Sequence, residues 1–123
     1  MGAIEPGLID ALRRGLAAFG VPTPITLEAW AREHFYLSAE SSYVEQRWSP
    51  WWFQCAIMAC ISNDDIREVV WPKPARAGAT KIILAAILYN AEHKRRNQAL
   101  WQPTDDDRDE FVKAELEPAL RDV

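Results

Sequence analysis

The sequence contains no uninterrupted apolar stretch of the length that a transmembrane helix requires. Its first apolar segment, residues 4–19, is interrupted by four charged side chains and does not have the pattern of a secretory leader. Cysteine is scarce, and Cys55 and Cys60 are five positions apart on a predicted helix, where they face different directions. We therefore expect a soluble, cytosolic protein whose thiols are reduced packing residues rather than a disulfide or a metal site.

An excess of basic residues is also absent. The formal net charge of −4 argues against a surface that binds nucleic acid everywhere, although it leaves room for one basic face. The length of 123 residues allows one domain, and 49% hydrophobic with 26% charged residues is ordinary for a globular protein.

The most informative stretch has the order strand, tight loop, helix. Residues 66–71 are a short apolar segment, and a loop of small residues follows that carries Lys73, Arg76 and a single glycine, Gly78. A helix is predicted to begin at Thr80, at the start of an apolar run. This order is typical of a phosphate-binding loop, in which backbone N–H groups and a helix N-terminus converge on an anion.

The loop matches the Walker A pattern, G-x-x-x-x-G-K-[ST], at two of its four fixed positions. With Gly78 as the second glycine, Thr80 supplies the hydroxyl, whereas Lys73 stands at the first glycine and Ala79 at the lysine. A plain turn between a strand and a helix is the alternative, because glycine followed by threonine at this spacing is common. The concentration of cations among alanines favours a phosphate site.

Four segments together resemble a known family. Residues 73–81, Lys-Pro-Ala-Arg-Ala-Gly-Ala-Thr-Lys, resemble the deviant Walker A segment of the large terminase subunit of tailed bacteriophages, the lambda-like packaging ATPases. Residues 30–42 are similar to the family's Trp-Ala…Tyr-Leu…Glu-x-Ser segment, residues 47–58 to its Trp…Pro-Phe/Tyr-Gln…Ile-Met block, and residues 102–106 to its Gln-Pro-Thr-Asp. The resemblance runs in collinear order from about residue 22 to the C-terminus.

The resemblance implies the N-terminal part of an ATP-driven motor that packages viral DNA into the procapsid. It implies ATP and Mg²⁺ as cofactors and, in the intact protein, viral double-stranded DNA, the small terminase subunit and the portal or procapsid as partners in the bacterial cytoplasm. An aromatic ring at the start of the helix near residue 52 would stack on adenine and a glutamine would bond its edge, unless these side chains are simply core. Thr80 would contact the metal. The predicted cofactor-binding residues are Phe53, Gln54, Lys73, Arg76, Ala77, Gly78, Ala79, Thr80 and Lys81.

Three positions depart from the family pattern. Pro74 stands where serine is usual, Ala79 where lysine or tyrosine is usual, and Trp52 where proline is usual. Pro74 removes one backbone N–H from the loop, and Ala79 removes a charge. Lys73 is therefore the best candidate to reach the β- and γ-phosphates, with Arg76 or Lys81 as electrostatic support.

An acidic residue at the end of a second strand, which P-loop motors use to hold Mg²⁺ and orient water, is missing. The next predicted strand ends at Gln102. We therefore expect no catalytic residue and no ATP hydrolysis by this chain alone, whether it is a truncated motor or a separate small protein. Two alternatives are a non-catalytic binding module that contacts the small subunit, the portal or DNA, and a P-loop-like enzyme whose acid comes from another chain.

The predicted fold class is α/β, with N-terminal helices and one P-loop-type βαβ unit of parallel strands, an incomplete P-loop NTPase domain. Residues 1–21 are predicted to be an amphipathic helix and linker, and residues 22–123 the N-terminal portion of the ATPase domain. Because two strands cannot cover the apolar helix between them, we expect exposed apolar surface or self-association. The predicted strands are 66–71 and 98–102, and the predicted helices lie near 4–19, 26–36, 52–62, 80–94 and 105–117, the last ended by Pro118.

For one histidine and two clusters of charged residues, we prefer a structural explanation to a functional one. His34 is interpreted as a packing or surface residue because it has no acidic or thiol partner at a fixed spacing. The basic residues of 92–97 complement a helix C-terminus, with DNA phosphates as the alternative. The acids Asp105, Asp106 and Asp107 are favoured at a helix start, with a Mg²⁺ site as the alternative.

Overall fold

A computed structural model describes residues 5–20, 23–37 and 46–122. Across these ranges the chain forms α-helices, two π-helical segments and one small antiparallel sheet, and none of the helices within them is long and apolar enough to cross a membrane. The elements in chain order are α1 (Pro6–Ala17), α2 (Leu27–His34), β1 (Tyr36–Leu37), β2 (Gln46–Arg47), α3 (Trp52–Ser62), α4 (Ala79–Tyr89), π1 (Asn90–Lys94), α5 (Asp105–Phe111), π2 (Val112–Leu116) and α6 (Glu117–Asp122).

Local capping explains where two of the predicted helices begin. The Thr26 side chain accepts a hydrogen bond from the Ala29 N–H at 3.2 Å at the start of α2. At the start of α5, the Thr104 hydroxyl oxygen accepts from the Asp107 N–H at 3.1 Å. The predicted acidic triplet fills the first turn of α5, where carboxylates meet the positive end of the helix dipole. Helices are present at all five predicted positions.

The core lies where α2, α3 and α4 pack together, and Trp30 is at its centre. The Trp30 Nε1 donates to the Glu92 carboxylate at 2.6 Å, and its ring meets the Tyr89 ring edge-on at 6.0 Å. The Tyr89 hydroxyl donates to the Ile25 carbonyl at 2.7 Å. The largest fully buried side chains are Leu27, Trp30, Phe35, Met58, Ile82, Leu84 and Tyr89.

The predicted roles of a histidine and two cysteines can be compared with their positions. His34 is at the surface, stacked on the Trp30 ring at 5.3 Å, as predicted. Cys55 is half-buried, but Cys60 is exposed, so the predicted packing role for Cys60 is wrong. Cys60 lies on a side of α3 that faces solvent.

The two predicted parallel strands do not form within the described residues. Residues 66–71 and 98–102 have no strand hydrogen bonds there, and the described sheet pairs β1 with β2 in antiparallel register. A strand requires a hydrogen-bonded neighbour, and both segments lie largely open to solvent, with Val70 78% and Trp101 84% exposed. Apolar surface is exposed, as predicted, but it lies mainly on α1, the start of α3 and these two segments, whereas most of α4 is buried. Neither β1 nor β2 lies at a predicted strand, and residues 38–45 between them lie outside the described ranges.

Pro118 does not end the last helix. The chain continues from π2 into α6, which begins at Glu117 and places Pro118 in its first turn. Proline has no N–H to donate, and at this point the helix changes from the π-helical hydrogen bonds of π2 to the α-helical hydrogen bonds of α6. Pro118 and Ala119 are instead buried parts of α6.

The N-terminal helix α1 forms as predicted but has no buried residue. Its apolar side chains, which include Leu8, Leu12 and Leu16, are exposed. The domain boundary at residue 21 stays a prediction, and residues 21 and 22 lie outside the described part of the chain.

The basic residues that follow α4 have an acidic partner from a distant turn. The Lys94 ammonium lies 3.1 Å and the Arg96 guanidinium 3.0 Å from the Asp64 carboxylate. Hydrogen bonds from Lys94 and Arg96 lower the pKa of Asp64 below its ordinary value. The cluster therefore joins the turn after α3 to the end of π1 and the residues that follow it.

The Asp64 contacts predict a pH dependence of stability. Because the pKa of Asp64 is lower in the folded protein than in the unfolded chain, its contribution is complete above about pH 4 and is lost as the pH falls through the folded pKa. We expect the thermal midpoint of the native chain to fall more steeply below pH 4 than that of Asp64→Asn. Asp65→Asn is the matched control, because Asp65 has no ion pair to a described residue, and parallel pH profiles for all three proteins would contradict this.

Candidate phosphate-binding site

The loop before α4 contains two residues in the left-handed region, Arg76 with φ +61° and Gly78 with φ +74°. Left-handed residues within a tight loop turn successive backbone N–H groups toward one side, which creates a concave site for an anion. Glycine adopts this conformation freely, whereas an arginine at positive φ costs about 1 kcal/mol or more. A loop that holds such a strained residue is a candidate functional segment.

The N-terminus of α4 has no side-chain cap. Gly78 occupies the capping position and has no side chain to accept hydrogen bonds, and the first turn contains no acidic residue. The Ile82 N–H donates to the Gly78 carbonyl at 3.4 Å. The amides of Ala79, Thr80 and Lys81 precede that bond and lie at the positive end of the helix dipole, an arrangement suited to an anion.

Gln54 joins the start of α3 to this loop. Its Oε1 accepts from the Trp51 N–H at 2.9 Å, and its Nε2 donates to the Ala77 carbonyl at 3.3 Å. A Cβ added at Gly78 would overlap the Gln54 Nε2. Gln54 is therefore in contact with two adjacent residues of the loop, and its hydrogen bond to Ala77 spans 23 positions.

The neighbouring aromatic residues are arranged at the surface. Phe53 is half-buried and its ring contacts Trp51 at 5.6 Å and Trp52 at 5.8 Å, both measured between centroids. Trp51 and Trp52 are exposed. The Trp51 and Trp52 rings are inclined to the Phe53 ring by 52° and 88°, so the start of α3 presents an apolar surface that is not flat, next to the residue that contacts the loop.

The three loop cations differ in their surroundings. Lys81 points away from the loop and its ammonium lies 2.9 Å from the Glu115 carboxylate on π2, with both side chains largely buried. Lys73 and Arg76 are exposed and make no hydrogen bond or ion pair with a residue that the structure describes. Of the predicted cations, Lys73 and Arg76 are therefore the ones available to an incoming anion.

Thr80 lines a cavity of about 430 Å³ between the start of α4 and the helical segments α5 and π2. The opposite wall includes the carboxylates of Asp107, Glu110 and Glu115, which α5 and π2 bring toward Thr80. Sequence reasoning missed this wall. The three-residue spacing of Asp107 and Glu110 indicates a shared helix face, whereas Glu115 lies in the π-helical segment π2, which the sequence did not predict. No three acidic, histidine or cysteine side chains in the described ranges are grouped closely enough to hold a metal ion.

Comparisons with known proteins agree on one family. The family described as "Phage terminase large subunit gpA, ATPase domain" matches residues 39–123. The chain is 46% identical over 113 residues to the terminase large subunit of Enterobacteria phage P21, and 44% identical over 112 residues to that of Escherichia phage lambda. The matches cover 92% and 91% of this chain but 18% of each relative. No solved structure matches the chain.

Proposed function

This chain belongs to the ATPase-domain family of phage terminase large subunits, and from that membership we propose that its loop of residues 72–81 binds the phosphates of ATP. The main support for the proposal is the N-terminus of α4, which has no side-chain cap and follows a loop with two residues at positive φ. An ATPase-domain family suggests ATP as the ligand. The geometry supplies the backbone donors that a phosphate group requires.

The chain spans about 18% of the length of the relatives it matches, and corresponds to the N-terminal part of a terminase large subunit. For the complete protein we propose the ATP-driven packaging of viral double-stranded DNA into the procapsid. Its proposed partners are the small terminase subunit and the portal or procapsid, in the cytoplasm of the bacterial host. These assignments rest on the family and not on a contact within this chain.

We also propose that the exposed segments 66–71 and 98–102 become parallel strands of a P-loop sheet when neighbouring strands are present. They flank α4 in the order that a βαβ unit requires. Their apolar side chains, which include Val69, Val70 and Trp101, are exposed. Exposed apolar surface of this kind is typical of a segment that packs against another element. The same exposure favours self-association of the chain when it is alone.

The proposed roles follow from the surroundings of each residue. The amides of Gly78, Ala79 and Thr80 would hold phosphate oxygens, and Lys73 would reach the β- and γ-phosphates, with Arg76 as electrostatic support. A Mg²⁺ ion would neutralise phosphate charge, and the exposed Thr80 hydroxyl would be its protein ligand. One protein ligand is compatible with Mg²⁺, which takes its other ligands from phosphate and water.

A non-catalytic binding module is the second candidate. The observation that favours it is α1, which presents an apolar face with no partner among the described residues. A helix with one exposed apolar face is suited to a groove on another protein. This role and nucleotide binding use different parts of the chain and are compatible.

The lysine assignment predicts unequal effects of two substitutions. Lys73→Ala should weaken the binding of inorganic tripolyphosphate by about 10- to 100-fold, because one charge-assisted contact is worth about 1.5–3 kcal/mol. Lys81→Ala should change it much less, because the Lys81 ammonium is paired with Glu115. NMR chemical-shift titrations at millimolar ligand would measure both affinities.

The control for these titrations is Lys113→Ala, which removes an exposed lysine of π2 outside the loop. It should leave the affinity unchanged. If Lys81→Ala abolished binding and Lys73→Ala did not affect it, the two roles would be reversed. A native chain that bound neither tripolyphosphate nor ATP would refute the phosphate site itself.

A further inference from the structure

Gln54 is the buried polar side chain of the described core, with 3% of its surface exposed. Both ends of its amide are in use, since the carbonyl oxygen accepts from Trp51 and the amino group donates to Ala77. Hydrogen bonding to the edge of a purine requires a glutamine amide that faces the ligand with a free donor and a free acceptor. One N–H and one oxygen lone pair of the Gln54 amide are not used in these two contacts, but with 3% of its surface exposed the side chain presents no such face to a ligand.

The contact with Ala77 has a consequence for the loop. Ala77 lies between Arg76 and Gly78, the two residues at positive φ. In a trans peptide the C=O and the N–H of one unit point in opposite directions. Because Gln54 holds the Ala77 carbonyl toward α3, the N–H of Gly78 is directed to the opposite side, away from α3.

We propose that Gln54 is a positioning residue, which fixes the peptide between Ala77 and Gly78 so that the Gly78 N–H faces the phosphate, and that it does not read the base. This inference rests on the proposed phosphate site and adds to it. It also gives a reason for glycine at position 78, because any Cβ there would overlap the Gln54 Nε2. The adenine-reading role that the sequence resemblance implied is replaced by a link between α3 and the loop.

The first test uses the chain without ligand and measures the coupling between Gln54 and Gly78. The urea midpoints of Gln54→Ala, Gly78→Ala and the double variant are compared with that of the native chain. We expect Gly78→Ala to lower the midpoint by less in the Gln54→Ala background, because the overlap is then absent. Additive midpoint shifts would overturn the proposed contact.

The second test separates positioning from base recognition. Affinities for ATP and for inorganic tripolyphosphate are measured on the native chain and on Gln54→Glu. The ionised glutamate keeps an acceptor for the Trp51 N–H, so α3 still begins in place, but it has no donor for the Ala77 carbonyl. Gln54→Met, which has neither this donor nor a charge, is measured beside it to separate loss of the donor from repulsion between the carboxylate and the phosphates. We expect both ligands to bind about tenfold more weakly, by the same factor.

The outcomes of the second test are distinct. If Gln54→Glu weakened ATP alone and left tripolyphosphate unchanged, Gln54 would read the base and the positioning role would be refuted. If the native chain bound neither ligand, the proposed function would fail, and the midpoint comparison would still decide whether Gln54 holds the loop. Far-ultraviolet circular dichroism of Gln54→Glu would check that the helices are retained.

Discussion

Replacing Gly78 with alanine is expected to lower the free energy of unfolding by about 2–3 kcal/mol and to remove phosphate binding. Alanine at φ +74° costs about 1–2 kcal/mol relative to glycine. Its Cβ would also displace the Gln54 Nε2 from the Ala77 carbonyl, which removes one hydrogen bond worth about 1 kcal/mol. Urea denaturation followed by circular dichroism measures the stability, and a tripolyphosphate titration measures the binding.

The matched control for this substitution is Gly15→Ala in α1. No atom lies within 4 Å of a Cβ placed at Gly15, which is an interior residue of a helix. Alanine is favoured over glycine there by about 0.5–1 kcal/mol, so the control should gain stability. Equal stability changes of the same sign at both glycines would contradict the loop geometry.

The second large effect is expected at Trp30. Trp30→Ala should lower the free energy of unfolding by about 3–5 kcal/mol, because it removes a fully buried aromatic side chain. It also takes away the indole donor of Glu92, 2.6 Å from that carboxylate. A small domain has a total stability of about 5–15 kcal/mol, so this variant should be close to unfolding or unfolded.

Trp30→Phe and Trp101→Ala provide the comparison for Trp30→Ala. Phenylalanine restores much of the apolar surface but leaves Glu92 without its donor, so its loss should be intermediate. Trp101 is 84% exposed, and its replacement should change stability by no more than about 0.5 kcal/mol. Urea midpoints that ranked Trp101→Ala below Trp30→Ala would contradict the described core.

The helices could be predicted because their signals are local. Thr26 and Thr104 cap helices through bonds to residues three positions away, and these contacts do not depend on the rest of the fold. The strands could not be predicted in this way, because residues 66–71 need a hydrogen-bonded neighbour that no described residue supplies. Apolar β-branched residues indicate a segment that is able to form a strand, but they do not indicate which segment pairs with it, because pairing depends on the whole sheet.

The candidate site also combines features that local sequence predicts with contacts that it does not predict. The position of the loop and its helix followed from Gly78 and the apolar run of α4, and both are found where the sequence predicted them. The pair formed by Lys81 and Glu115 joins residues 34 positions apart, and no local pattern indicates it. The Gln54 contact with Ala77 spans 23 positions and is equally nonlocal. Local sequence therefore located the loop and its helix but did not indicate these two nonlocal contacts.

The most direct test of the phosphate site is a calorimetric titration of the native chain with ATP and Mg²⁺. Pro74 removes a donor and Ala79 a charge, so two contacts worth about 1.5–3 kcal/mol each are missing relative to a typical micromolar site. We predict saturable binding no tighter than about 0.1 mM, which Gly78→Ala abolishes. Either no heat of binding at millimolar ATP, or binding of any strength that Gly78→Ala leaves unchanged, would contradict the assignment of the loop.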